Sequence, residues 1–156
     1  MKGGAHEVAS PAERAVLVGV DTASGRHEGA HIGADESLRE LERLALTAGV
    51  RPVATLHQNV REISPATYIG KGKVEELKEA VKASGASVVL FDENLTPGQQ
   101  RTLTERVEAK VLDRSQLILD IFAARARSLE GKLQVELAQL EYMLPRLTRA
   151  LSLIHI

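Results

Sequence analysis

The stretch Val111–Leu147, VLDRSQLILDIFAARARSLEGKLQVELAQLEYMLPRL, decides how the chain is read. Within it and just beyond, Leu133, Leu137, Leu140, Leu144, Leu147, Leu151 and Ile154 are separated by alternating steps of four and three residues. That is the seam of a heptad repeat, with every leucine on one face of a helix. A helix over Gly131–Leu151 runs about 30 Å at ~1.5 Å per residue, well beyond the ordinary ~11–12 residues. Fully burying one leucine is worth roughly 1.5–3 kcal/mol, so the seam needs a cover. Two readings follow: a helix that projects to meet a partner, or one that lays its leucines on a sheet. Pro145 has no N–H and crowds the carbonyl of Glu141, which predicts a kink or a helix end near it.

Upstream, short apolar runs alternate with helical patterns. Ala15–Val20 (AVLVGV) is a continuous apolar run ending at Asp21, as expected of a strand buried on both faces. After a long Gly- and Ser-rich connection, Ser37–Ala48 places Leu38, Leu41, Leu44 and Ala45 on one helical face, with Gly49 as the stop. Val53–Gln58 is a second strand and Val74–Ala83 a second helix closed by Ser84-Gly85. Ser87–Phe91 is a third strand, ending at Asp92. Thr96-Pro97 caps a helix through Val107, and Lys110–Leu112 is a fourth strand whose Asp113 caps the helix from Arg114. Strands alternating with single helices give an α/β fold, a small parallel βαβ-type sheet with right-handed crossovers, followed by a long projecting C-terminal helix. The expected divisions are a disordered lead over 1–14, an α/β subdomain over 15–126 and a long helix over 127–156.

The 156 residues hold one domain and an arm, not two full domains. No cysteine is present, which removes disulfides and thiolate metal sites and fits a cytoplasmic location. Aromatics are 3% with no Trp, so stacking platforms for single-stranded bases are not expected. The formal net charge is −1; any RNA binding must be local. The first residues lack the apolar stretch of a signal peptide, and no run approaches the ~18 apolar residues of a membrane span.

Three features could carry chemistry. Gly70-Lys71-Gly72-Lys73 frees backbone N–H groups and adds charge ahead of a helix, which suits an anion, RNA phosphate more than nucleotide. The alternative is a glycine turn launching that helix. It is not a P-loop, because Thr67 stands where the Walker pattern needs Gly and Val74 where it needs Ser or Thr. Asp21, Asp92 and Asp113 fall at strand ends, either as an acidic cluster suited to magnesium or as caps and turn formers. Asp92 also sits where a receiver domain carries its phosphoacceptor. The five histidines have no metal-binding spacing, so no metal site is expected. No Ser or Thr nucleophile has a recognisable context, and the arginines of the C-terminal half read mostly as solvated helix faces.

TYIGKGKVEEL (Thr67–Leu77), FDENLTPGQQRTL (Phe91–Leu103), VLDRSQLILDIFAARA (Val111–Ala126) and GKLQVELAQLEYMLPRL (Gly131–Leu147) together resemble the N-terminal region of the GTPase HflX family, from about Ala15 to Arg149. The resemblance implies an α/β subdomain, two long antiparallel helices and then a separate P-loop GTPase domain. It further implies binding to the large ribosomal subunit, contact with ribosomal RNA and, in some members, ribosome dissociation. GTP and magnesium would belong to the GTPase domain, so no cofactor and no GTP hydrolysis are expected of these residues. After Arg149 the sequence ALSLIHI replaces the family's Gly-rich loop and second helix, as in a truncated chain. The expectation is a ribosome-interaction module using Gly70, Lys71, Gly72, Lys73, Arg125, Arg127, Arg146 and Arg149. A homodimer through Leu133, Leu137, Leu140, Leu144 and Leu147 is expected beside it. The competing classes are a receiver-like phosphoacceptor at Asp92 and a polyphosphate-binding α/β domain.

Overall fold

The computed structural model describes residues 13–22 and 34–154, with side chains for 13–21, 36–59 and 61–146. The lead before Glu13, most of the Gly-rich connection after Asp21, four of the five histidines and the side chains of Leu147, Arg149, Leu151 and Ile154 lie outside the described residues. The elements are β1 (Glu13–Thr22), α1 (Ala34–Thr47), β2 (Val50–Val60), α2 (Lys71–Ser84), β3 (Val88–Phe91), α3 (Pro97–Val107), β4 (Lys110–Asp113), α4 (Arg114–Arg125) and α5 (Leu129–Ile154).

All four strands are parallel, in the order β2-β1-β3-β4. β1 therefore sits inside the sheet and must be apolar on both faces, as AVLVGV is. Val16, Val18 and Val20 join Leu77, Val81, Phe91, Leu103 and Val107 beneath α2 and α3. Ala15 and Leu17 join Leu38, Leu41, Leu90 and Leu117 beneath α1 and α4. The result is a sheet between two helical layers. Pro52 is tolerated because β2 is an edge strand, and the β1–β2 register slips by one residue beside it, between Ala15 and Val16.

The helix ends follow from local chemistry. Thr96 and Gln99 form a capping box with Pro97 in the first turn. Asp113 caps α4 by accepting from the Gln116 N–H at 3.0 Å. Gly85, at φ 70°, closes α2 by donating to the Val81 carbonyl, a left-handed position that suits glycine. Several boundaries differ from expectation: β1 begins at Glu13, inside the expected lead over 1–14, and extends to both sides of Ala15–Val20, and α1 starts at Ala34, not Ser37. β2 extends to both sides of Val53–Gln58; α2 starts at Lys71, not Val74; α5 starts at Leu129, not Gly131, because Ser128 Oγ accepts from the Gly131 N–H at 2.9 Å.

α5 has 26 residues, about 39 Å of helix. It does not end at Pro145, which lies inside it; Pro145 and Glu141 are both exposed. Nor does α5 stand clear of the domain along its length. It folds back antiparallel to α4: Gln139 Nε2 donates to Asp120 at 3.0 Å, Gln116 Nε2 to Met143 Sδ at 2.8 Å, and the Tyr142 hydroxyl to Asp113. Among the described residues, no helix is long and apolar enough to cross a membrane.

Candidate functional site

The carboxyl ends of β2, β3 and β4 define the edge at which open α/β sheets place their ligands. Each end carries a different local structure. After β2, residues 64–70 form a closed turn. Ser64 and Tyr68 exchange backbone hydrogen bonds of 3.1 and 2.9 Å, Thr67 Oγ1 donates to the Ile69 carbonyl at 2.6 Å, and Gln99 Nε2 donates to the Ser64 carbonyl at 2.8 Å. Tyr68 adopts φ 66°, unusual for an aromatic residue, and its buried ring meets Phe91 edge-on at 6.4 Å. This turn aims the chain into α2 with Gly70 as N-cap.

Gly70 supplies no side-chain cap, and the first turn of α2 carries no acidic residue. Its own N–H points to Gln58 Oε1 at 3.4 Å. Lys71 and Gly72 are exposed, and a Cβ built on Gly72 would meet nothing within 4 Å. Neither packing nor a positive φ accounts for that glycine. Lys73 differs from Lys71: its ammonium pairs with Glu76 at 3.1 Å, one turn along the same helix. The two lysines thus lie within the helix, not ahead of it, and of the two only Lys73 is ion-paired among the described residues.

After β3, the Asp92 carboxylate has no exposed side-chain surface, accepts from the Ser37 hydroxyl and pairs with Arg114. Arg114 also pairs with Glu40. This network ties α1, β3 and α4 together at the switch between β1 and β3. Paired and enclosed in this way, Asp92 lacks the access that a phosphoacceptor needs, and the receiver-like reading finds no support in its geometry. After β4, Asp113 is fully buried and accepts from Leu95 N at 3.0 Å, Gln116 N at 3.0 Å and the Tyr142 hydroxyl, with Arg146 at 3.7 Å. Asp113 is a helix cap, as the second of the two sequence readings has it, whereas Asp92 is an ion-paired packing anchor, which neither reading gives. Among the described residues no group of three or more His, Cys, Asp or Glu is placed to hold a metal.

Arg146 requires a correction. Its guanidinium lies 3.8 Å over the Tyr142 ring, donates to the carbonyls of Tyr142 and Leu95, and has a side chain only 10% exposed. It fastens α5 to the domain and is not presented to RNA. Burial, with the hydrogen bond and charge of Asp113, raises the Tyr142 phenol well above its ordinary value, and nearby Arg146 offsets part of this. Arg125 and Arg127 are exposed, at the end of α4 and in its connection to α5. Arg125 borders residues from the opposite, amino-terminal edge of the sheet, including Glu13, Val50 and Lys110. The structure therefore does not gather the basic residues into one patch: Lys71 lies at one edge, Arg125 and Arg127 at the other.

Sequence reasoning missed the node of Asp113, Tyr142 and Arg146. Its signal was the helical spacing of Tyr142 and Arg146, four residues apart and both off the leucine face. That face is open: Leu133, Leu137, Leu140 and Leu144 are 50–57% exposed and Leu129 is 73% exposed. The helix folds back, but with its polar side inward.

A four-stranded parallel α/β sheet followed by a long helix is a fold shared with solved GTP-binding proteins. Residues 35–123 match the family model described as GTP-binding GTPase N-terminal, and residues 125–154 that of the GTP-binding GTPase middle region. GTPase HflX of Escherichia coli strain K12 is 52% identical over 114 residues, covering 73% of this chain and 27% of that protein. GTPase HflX of Caldanaerobacter subterraneus subsp. tengcongensis is 47% identical over 141 residues, 90% of this chain and 31% of its own length. The chain belongs to the GTPase HflX family, and spans about a third or less of these relatives. A solved variant of SsGBP superposes with a TM-score of 0.67 at 25% identity, covering 88% of this chain and 41% of that one. A GTP-binding protein of Sulfolobus solfataricus in complex with GDP shares the fold, with a TM-score of 0.62 at 23% identity over 90% of this chain and 40% of its own.

Proposed function

We propose that the chain is a ribosome-interaction module that acts in the cytoplasm and contacts RNA of the large ribosomal subunit through separate basic points. The family membership carries the reading, and the start of α2 supplies its chemistry. An exposed helix N-terminus with no acidic residue in its first turn favours a phosphate. Gly72 leaves the backbone N–H groups approachable, and Lys71 adds a mobile charge beside them. Arg125 and Arg127 offer a second contact at the hairpin turn. Lys73, held by Glu76, ranks below Lys71; Arg146 is withdrawn from the RNA-facing set; Arg149 lies where no side chain is described.

The same turn suits a polyphosphate, which is the competing ligand for these residues. GTP binding and hydrolysis belong, in this reading, to sequence outside these 156 residues, because the Gly-Lys turn has neither the Walker spacing nor its hydroxyl. Cosedimentation with large subunits over a salt series tests the proposal. Binding should weaken as salt rises, and Lys71→Ala should reduce the log–log salt slope by roughly one for a single phosphate contact. Arg125→Ala with Arg127→Ala should weaken binding independently. Binding unchanged when all three charges are removed refutes the assignment. Saturable GTP turnover by the purified chain would overturn the division of labour, and acetyl-phosphate labelling at Asp92 would restore the phosphoacceptor reading.

A further inference from the structure

We infer that the Met143 thioether is an oxidation site, and that its conversion to the sulfoxide by a hydroperoxide loosens the docking of α5 on α4. The sequence has two methionines and no cysteine. Met1 lies outside the described residues, so Met143 carries the one sulfur among them. Its side chain sits in the α4–α5 interface and is only partly buried, within reach of a molecule as small as a peroxide. Thioethers of this kind are oxidised to sulfoxides, a change from an apolar to a polar group that disrupts packed contacts.

Met143 matters because of what depends on it. Gln116 is 6% exposed and Gln100 8% exposed, and their side chains form a relay across four elements. Gln100 Nε2, on α3, donates to the Val111 carbonyl of β4 at 2.6 Å and to Gln116 Oε1 of α4 at 2.6 Å. Gln116 Nε2 then donates to Met143 Sδ of α5 at 2.8 Å. A thioether is a weak acceptor, and here a buried amide donor relies on one. The contact is tight: at that separation no oxygen fits between sulfur and nitrogen.

The consequence of oxidation follows from the sulfur's two lone pairs. One faces the Gln116 N–H, and the other is left for the oxidant. That pair attacks the terminal oxygen of the hydroperoxide, so that an S–O bond forms as the O–O bond breaks. The thioether is oxidised by two electrons. The peroxide is reduced, and its other oxygen takes up the proton and leaves as water, or as an alcohol from an organic hydroperoxide. The sulfoxide sulfur carries partial positive charge and turns it towards the N–H it used to accept, while its oxygen points away from Gln116. The Gln116 donor is then buried and unsatisfied until α5 moves off. Tyr142 and Arg146 lie beside Met143 on the same helix, so a shift there also reaches their bonds to Asp113 and the Leu95 carbonyl. The site is independent of the leucine stripe and of the RNA-facing residues.

Dilute hydrogen peroxide applied to the full chain, followed by tryptic mass mapping, reads the modification. The 133–146 peptide should gain one oxygen. Amide exchange in α5 should then rise roughly tenfold to hundredfold, the factor for one buried donor left unpaired, with β1 unchanged and a lower thermal midpoint. Methionine sulfoxide reductases of both epimer specificities, added together, should restore exchange and midpoint. Met143→Leu keeps the apolar bulk and retains Met1, so peroxide should leave its exchange and midpoint as they were. A 133–146 peptide that stays unmodified while Met1 is fully converted overturns the assignment. Complete conversion of Met143 with unchanged exchange in α5 overturns it as well, as do equal losses in the parent and in Met143→Leu.

Discussion

Replacing Asp113 by alanine should cost more than any other single change at the carboxyl edge of the sheet, and the structure sets the size. Its carboxylate is 0% exposed and serves the Gln116 N–H, the Leu95 N–H and the Tyr142 hydroxyl, with Arg146 at 3.7 Å. Loss of the α4 cap is worth about 1 kcal/mol. Leaving the buried Leu95 N–H unsatisfied costs ~1–3 kcal/mol, and stranding a largely buried guanidinium costs ~3–5 kcal/mol. These groups share one carboxylate, so the costs do not add; the expected total is ~3–5 kcal/mol. At ~2–4 °C per kcal/mol for a chain of this size, the thermal midpoint should fall by roughly 6–20 °C. Tyr142→Phe removes one hydrogen bond to a charged group and should cost ~1.5–3 kcal/mol. Urea unfolding of both single variants and the double variant gives the coupling, which should exceed ~0.5 kcal/mol. Amide exchange should show α5 released while β1 stays protected. Asp113→Ala within ~0.5 kcal/mol of the parent, the ordinary range for surface substitutions, or strict additivity with Tyr142→Phe, refutes the claim that this node holds the hairpin to the sheet.

Other perturbations act on the β1–α1 packing, the Tyr142 phenol and the start of α2. A Cβ at Gly19 would lie 2.8 Å from Leu38 Cγ and Cδ1, so Gly19→Ala should destabilise by ~1–3 kcal/mol through overpacking between β1 and α1, measured by urea unfolding. The Tyr142 phenol is raised in the folded state, so its stabilising contribution is complete below the unfolded value of ~10 and declines as pH rises from there through the folded value. The stability gap between the parent and Tyr142→Phe should therefore narrow above pH ~10, and a gap that stays constant between neutral and strongly alkaline pH contradicts the assignment. Gly72→Ala meets open space and should stabilise α2 by ~0.5–1 kcal/mol; weaker cosedimentation with large subunits alongside that gain in stability would tie the glycine to backbone approach by RNA.

The fold was legible because a buried parallel sheet writes itself in apolar runs. AVLVGV and SVVLF needed no partner information to read as strands, since both faces of β1 and β3 are covered by helices. The caps at Thr96 and Asp113 were legible for a similar reason: a cap is a contact within a few residues of sequence. What failed was less local. Apolar periodicity places the start of α2 at Val74, whereas the backbone turns helical at Lys71; glycine and lysine carry no periodic signal to mark the first turn. Pro145 by itself predicts a kink or an end to α5, yet the helix runs through it.

The site was harder to read because the function of an arginine is decided by what it reaches. Arg127 and Arg146 look alike in sequence, each in a helical segment with acidic neighbours nearby. Arg127 is exposed in the turn, while Arg146 spans from the Tyr142 ring to the Leu95 carbonyl, 51 residues away in sequence. The same distinction separates the two faces of α5. A heptad of leucines argues for burial, and the ordinary inference would press them onto the nearest apolar surface. Here the sheet's apolar surface is already used by α1 to α4, and what remains open at the carboxyl edge is polar: a buried aspartate, a free carbonyl and two glutamines. The side of α5 that fits this edge is therefore Gln139, Tyr142, Met143 and Arg146, and once that side is fastened the leucines have no direction left but outward. Exposure of the stripe is thus a consequence of the Asp113 node, which fixes the polar side of α5 against the carboxyl edge.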